Sequence, residues 1–193
     1  LELRMLAHYM KDDAYTNEVV SGDIHTANQK AAGLETRNQA KTFIYAFLYG
    51  AGATKIGSIV GGSSKEGQAL IASFLRNTPR LKQLREKVSR IYAQKAWLPG
   101  LDGRKLLVRS EHSALNTLLQ GAGAIAMKQA LVIFNKRLRQ SQIDYKFVAN
   151  VHDEWQIEVE ENRADEVGKL GVQSIADAGV ILNMRCPLSG EYR

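Results

Sequence analysis

Apolar side chains occupy alternate positions at Tyr145, Phe147, Ala149 and Val151, and after a break again at Trp155, Ile157 and Val159. A period of two marks a strand with one face against a core. Two such runs around His152, Asp153 and Glu154 predict an antiparallel hairpin with an acidic tip. Its flanks are too apolar for both faces to meet solvent. Elsewhere the chain is punctuated mainly as helices, with a turn, a tight Asp-Gly turn and a short strand in residues 98–109. The predicted fold class is α+β, mostly helical.

Helix signals divide the remainder. Leu3, Leu6, Ala7 and Met10 form an opening amphipathic stripe, followed by a polar stretch, the segment GDIHT (22–26) and a helical run to Ala32. Thr36 and Gln39 form a capping box, and Gly50 and Gly52 end the helix it opens. A second capping box, Ser63 with Glu66, opens a helix to about Asn77. Thr78 and Pro79 restart the chain, with Leu81, Leu84, Val88 and Ile91 as the buried stripe. A long helix is expected from Ser113 to Leu138, interrupted at Gly121 and Gly123. Residues 161–178 read as helix and 185–188 as a closing strand.

Composition bounds the function. A chain of 193 residues, 45% hydrophobic and 24% charged, can bury a core as one domain or two small lobes. No apolar run suggests a membrane span, so no membrane partner is expected, and the N-terminus lacks the pattern of a signal peptide. The single cysteine, Cys186, excludes an internal disulfide framework and a multi-cysteine zinc site. A reducing, cytoplasmic compartment is expected. The net charge of +6 favours an anionic partner such as nucleic acid or nucleotides. Leu1 and Glu2 fall inside a helical pattern without Met or cap, so a piece of a longer protein is expected.

Three constellations could carry chemistry. Arg37, Lys41, Tyr45 and Tyr49 are spaced four apart, so they drift only about 40° per step and lie on one slanted helix face. Ala40, Phe43 and Phe47 oppose them and can pack on a core. Two cations near the helix N-terminus and two aromatics near its end match a ligand with phosphates at one end and a flat base at the other. The same spacing also describes a solvated basic edge with two half-buried tyrosines. Asp153 and Glu154 on the hairpin tip resemble a platform for Mg²⁺, or an ordinary acidic turn. Asn116 and Gln120 share a helix face beside glycines that permit close approach.

Together and in order, these pieces resemble family A DNA polymerases, most closely the bacteriophage branch. LELR (1–4) resembles the tail of the family's first motif, and RNQAKTFIYAFLYG (37–50) matches the fingers pattern Arg-x3-Lys-x7-Tyr-Gly. NTLLQG (116–121) is similar to the Asn-x3-Gln-Gly segment, and VHDE (151–154) to the palm hairpin. The resemblance implies that Arg37 and Lys41 contact the triphosphate of an incoming nucleotide, with His25 nearby. Tyr45 would lie under sugar and base, Tyr49 at the nascent pair, and Glu2 where a ribose 2′-hydroxyl is excluded. Asp153 would ligate catalytic Mg²⁺ and Glu154 would support it. His152 would touch the primer end, and Asn116 and Gln120 the duplex.

By the same resemblance, residues 1–15 begin a palm, 16–115 form the fingers and 116–193 the rest of the palm. The family's other metal-binding aspartate would lie four positions before Leu1, so the two-metal site is expected to be incomplete in these residues. Thumb, exonuclease and a phage-type tail also lack counterparts. The expected function is DNA-directed DNA polymerase, with primer-template DNA, deoxynucleoside triphosphates and the remainder of the polymerase as partners. The isolated piece is expected to be inactive. The alternative is a non-catalytic subunit that binds nucleotide or DNA only.

Overall fold

Nine α-helices and two small hairpins, described over all residues Leu1–Arg193 in a computed structural model, make up the chain. Helix α1 (Glu2–Met10) buries Leu3, Met5, Leu6, Ala7 and Met10. The polar stretch expected next is itself a helix, α2 (Asp13–Val20), because Asp12 caps it by accepting from the Tyr15 amide at 3.0 Å. It buries only Tyr15, so it leaves almost no apolar stripe to read. Helix α3 (Ile24–Ala32) is capped by Asp23 and stopped by Gly33 at φ 70°.

Both predicted capping boxes form. Thr36 opens α4 (Arg37–Leu48), and Ser63 opens α6 (Ser64–Asn77). Between them lies α5 (Ala53–Ile59), which sequence periodicity did not expose. It packs tightly on α6 because side chains at Gly57 or Gly67 would collide with the backbones of Ser63 and Ala53. Helix α7 (Pro79–Lys95) starts at Pro79 and buries Leu81, Leu84 and Val88. Thr78 does not cap it; its hydroxyl donates back to the Phe74 carbonyl at 2.6 Å. The turn region after α7 closes as a full hairpin, β1 (Trp97–Pro99) against β2 (Lys105–Leu107).

Helix α8 (Ala114–Gln140) runs unbroken through Gly121 and Gly123, against expectation. Those glycines serve packing instead: a Cβ at either would crowd Leu106 or Leu1. By length and apolarity, Glu111–Gln140 would also qualify as a membrane span, with an 18-residue window of mean hydropathy 1.3, correcting the sequence reading. Half of that window is buried inside the fold. The helix is the central strut, carrying α1 and α7 on one stretch and α9 (Ala164–Ile181) on another. The closing strand expected at 185–188 does not form. Buried Cys186 and Leu188 dock as irregular chain, and the only strand pairs are the two hairpins.

The second hairpin pairs β3 (Tyr145–Val151) with β4 (Glu154–Val159). Its inner face rests on a small core of Phe134, Leu138, Ile143 and Val167. A bulge between Phe147 and Ala149 shifts the register, so Phe147 pairs with Ile157 but Ala149 with Gln156 and Val151 with Glu154. Ala149 and Val151 therefore leave the face of Tyr145 and Phe147, contrary to the simple alternation, and Val151 is half-exposed.

Candidate functional site

The N-termini of α3 and α4 lie side by side, joined through one carboxylate. Asp23 caps α3 by accepting from the His25 amide at 3.1 Å and the Thr26 amide at 3.4 Å. The same side chain receives Arg37 Nε at 2.8 Å and Nη2 at 3.1 Å. Arg37 and the Thr26 hydroxyl hold the Asp23 carboxyl well below the usual carboxylate range. Lys41, one turn along α4, is exposed and makes no ion pair.

His25 projects from α3 toward α4, its ring centroid 6.2 Å from that of Tyr45. Its Nδ1 is buried without a hydrogen-bond partner. Burial first, then the charges of Arg37 and Lys41, hold this imidazole below its ordinary range. His25, Arg37 and Lys41 thus converge although two helices supply them.

Beyond this cationic end the stripe turns polar and acidic. Tyr45 is half-buried; burial, followed by the charges of Glu2, Tyr49 and Asp153, raises its phenol. The Tyr49 hydroxyl lies 3.4 Å from Glu2 Oε1 and accepts from Gln120 Nε2 at 3.5 Å. Both are long contacts, but they bring α1, α4 and α8 to one point. Burial is also the largest cause raising the Tyr49 phenol, ahead of the Glu2 charge. Opposite the stripe, Ala40, Phe43 and Phe47 are buried as expected, and Ile44 and Leu48 join them.

The hairpin tip holds His152, Asp153 and Glu154, all exposed. His152 takes a left-handed φ of 54°, a conformation uncommon for a side chain with Cβ and concentrated at functional turns. Glu154 accepts from Gln156 Nε2 at 3.1 Å. No group of three or more His, Cys, Asp or Glu gathers anywhere to hold a metal. Asp153 and Glu154 nevertheless suit Mg²⁺ as part of a site, since that ion takes one or two carboxylates with phosphates and water. They border a groove of about 790 Å³ that Leu1, Arg4 and Tyr192 also line.

The fold therefore brings Glu2, His25, Arg37, Lys41, Tyr45, Tyr49 and Gln120 into one surface, with the Asp153 charge reaching Tyr45. Asn116 stands one turn before Gln120, half-buried and outside the hydrogen bonds that link the others. Sequence reasoning passed over Asp23. Its position ahead of a helical run carried the signal, because Asp is a favoured N-cap.

Known proteins resemble this chain in both sequence and fold. The model of DNA polymerase family A matches residues 1–193. The DNA-directed DNA polymerases of Enterobacteria phage T3 and Escherichia phage T7 are each 41% identical, over 99% of this chain and 30% of theirs. DNA polymerase I of Aquifex aeolicus is 31% identical over 99% of this chain and 36% of its own length. The chain thus spans 30% of the length of the two phage relatives. A solved POL domain of Pol1 from M. smegmatis, in complex with DNA primer-template and dNTP, superposes with a TM-score of 0.85. It covers 97% of this chain and 36% of that one at 20% identity, a likeness of fold.

Proposed function

Because this chain belongs to DNA polymerase family A, we propose that it carries the nucleotide-selecting surface and part of the metal-bearing floor of a DNA-directed DNA polymerase. The reaction is attack of a primer 3′-hydroxyl on the α-phosphate of a deoxynucleoside triphosphate, directed by a DNA template. Residues 16–115 would form the fingers, with 1–15 and 116–193 in the palm, working in a cytoplasm (the host's, for a virus). The M. smegmatis polymerase domain of like fold, solved in complex with DNA primer-template and dNTP, supports the same partners here.

One observation carries the reading: Tyr45 is shared by a cationic end and an acidic end. His25, beside Arg37 and Lys41, approaches its ring, and the charge of Asp153 acts on its hydroxyl. A triphosphate would lie against Arg37 and Lys41, whose charge-assisted hydrogen bonds suit phosphate oxygens. His25, held below its ordinary range, would offer a neutral imidazole. Tyr45 would support sugar and base, and Tyr49 the nascent pair. Glu2, steadied by the Tyr49 hydroxyl, would occupy the space a ribose 2′-hydroxyl needs. Asn116, Gln120 and His152 would contact the duplex and the primer end.

Asp153, supported by Glu154, would hold Mg²⁺, which when bound supplies Lewis-acid neutralisation of the phosphates. The aspartate implied ahead of Leu1 is not among these residues, so the 193-residue polypeptide by itself should bind without extending a primer. The second reading is a subunit that binds nucleotide or DNA only, with Asp153 and Glu154 as an ordinary acidic turn.

The test pairs binding with synthesis. The purified chain should bind primer-template at low salt, with affinity falling as salt rises by about 0.9 log units per log unit for each phosphate neutralised. It should bind dATP and show no templated extension. Absence of binding to both ligands would overturn the polymerase reading. Robust extension by this chain alone would overturn the incomplete metal site. Adding an upstream segment that carries the aspartate separates the two readings, because only a polymerase piece then gains extension.

A further inference from the structure

We propose that Asp23 is a releasable latch on Arg37, which a nucleotide's phosphates must displace before Arg37 can bind them. The inference rests on the triphosphate reading above and adds a residue that this reading leaves unused.

Asp23 engages Arg37 at both carboxylate oxygens, with Nε at 2.8 Å from Oδ2 and Nη2 at 3.1 Å from Oδ1. That is the two-pronged geometry a phosphate also offers a guanidinium. The carboxylate does not depend on Arg37 for its partners. The His25 amide at 3.1 Å, the Thr26 amide at 3.4 Å and the Thr26 hydroxyl at 2.8 Å remain when Arg37 leaves. Release therefore orphans no acceptor. Nor does it need desolvation, since the Arg37 and Asp23 side chains are already 51% and 45% exposed. A pair this exposed is weak enough to exchange and strong enough to compete.

The charge count agrees. With Arg37 balanced by Asp23, Lys41 is the one unpaired cation at this end of α4. An approaching polyphosphate would meet Lys41 first and then take Arg37 from Asp23. The latch lowers affinity in the free chain and keeps the guanidinium beside its working position.

Asp23→Asn and Asp23→Ser both retain a good N-cap for α3, and neither can pair with Arg37 as a carboxylate does. Binding of dATP and of inorganic tripolyphosphate would be titrated on the 193-residue chain, with a thermal melt to confirm folding. Both variants should bind about two- to fivefold tighter than wild type. The gain should vanish in an Arg37→Ala background. Unchanged or weaker affinity in either folded variant would overturn the latch. A gain that persists in full without Arg37 would also overturn it, because Asp23 would then act as simple repulsion. If Arg37→Ala alone binds both probes like wild type, the triphosphate reading fails and the latch falls with it.

Discussion

The Trp155 indole stacks on the Phe134 ring with centroids 5.4 Å apart and planes 26° apart. Phe134 belongs to α8 and Trp155 to β4, so this contact ties the strand beside Asp153 to the helix that also carries Gln120. Phe147 adds an edge-on contact to the same ring at 6.0 Å. A two-stranded hairpin is marginal without such support.

Phe134→Ala should cost about 3–5 kcal/mol, the range for emptying a buried aromatic site. Phe134 is 1% exposed, so little water can compensate. Urea unfolding followed by circular dichroism is the measurement. Phe134→Leu should lose much less. Equal losses would mean that ring stacking rather than filled volume matters there.

Lys41→Ala should weaken dATP binding more than Arg37→Ala does. A hydrogen bond from a charged donor to phosphate is worth about 1.5–3 kcal/mol, a ten- to hundredfold change. Lys41 is free to contribute all of it, whereas Arg37 must first give up Asp23. Primer-template affinity should stay nearly constant in both variants. Loss of duplex and nucleotide binding in parallel would argue against a phosphate role for this face.

Stability should fall as pH drops below about 6.5, the reference value for an unfolded histidine. His8 Nδ1 accepts the Arg185 amide at 3.1 Å, which requires the neutral ring. Burial, then the charges of Arg185 and Lys11, lower its folded pKa. A base lowered on folding binds fewer protons than the unfolded chain, so its contribution is complete above the unfolded pKa and is lost as pH falls. His25, lowered likewise, acts in the same direction. Urea midpoints between pH 7.5 and 5 should decline, and less steeply in His8→Asn, which keeps an acceptor without titrating. An identical decline in that variant would remove His8 from the account.

Gly57→Ala and Gly67→Ala should each destabilise despite improving helix propensity. Replacing a helical glycine by alanine gains about 1 kcal/mol. Here the new methyl would meet the backbone carbonyls of Ser63 and Ala53, which cannot rotate away. Overpacking of this kind costs about 1–3 kcal/mol, so the net should be a loss. A raised Tm in either variant would show that α5 and α6 separate readily.

Much of this protein is written locally. The capping boxes of Thr36 and Ser63, Pro79 at a helix start and the apolar stripe of α7 each depend on residues within a few positions of one another. The spacing of Arg37, Lys41, Tyr45 and Tyr49 is equally local, which is why the family resemblance was legible before any fold. Helix α2 was missed because Tyr15 is its single buried residue, so it carries almost no stripe to detect. Gly121 and Gly123 looked like interruptions because a sequence does not show Leu106 and Leu1 arriving to need that space. The bulge in β3 cannot be read from alternation, since it exists only relative to the partner strand that fixes register. The meeting of Glu2, Tyr49 and Gln120, and the hold of Asp23 on Arg37, were likewise decided by tertiary packing. Periodicity sets which face of an element is apolar, but only the buried faces of several elements closing on one core determine which exposed side chains become neighbours.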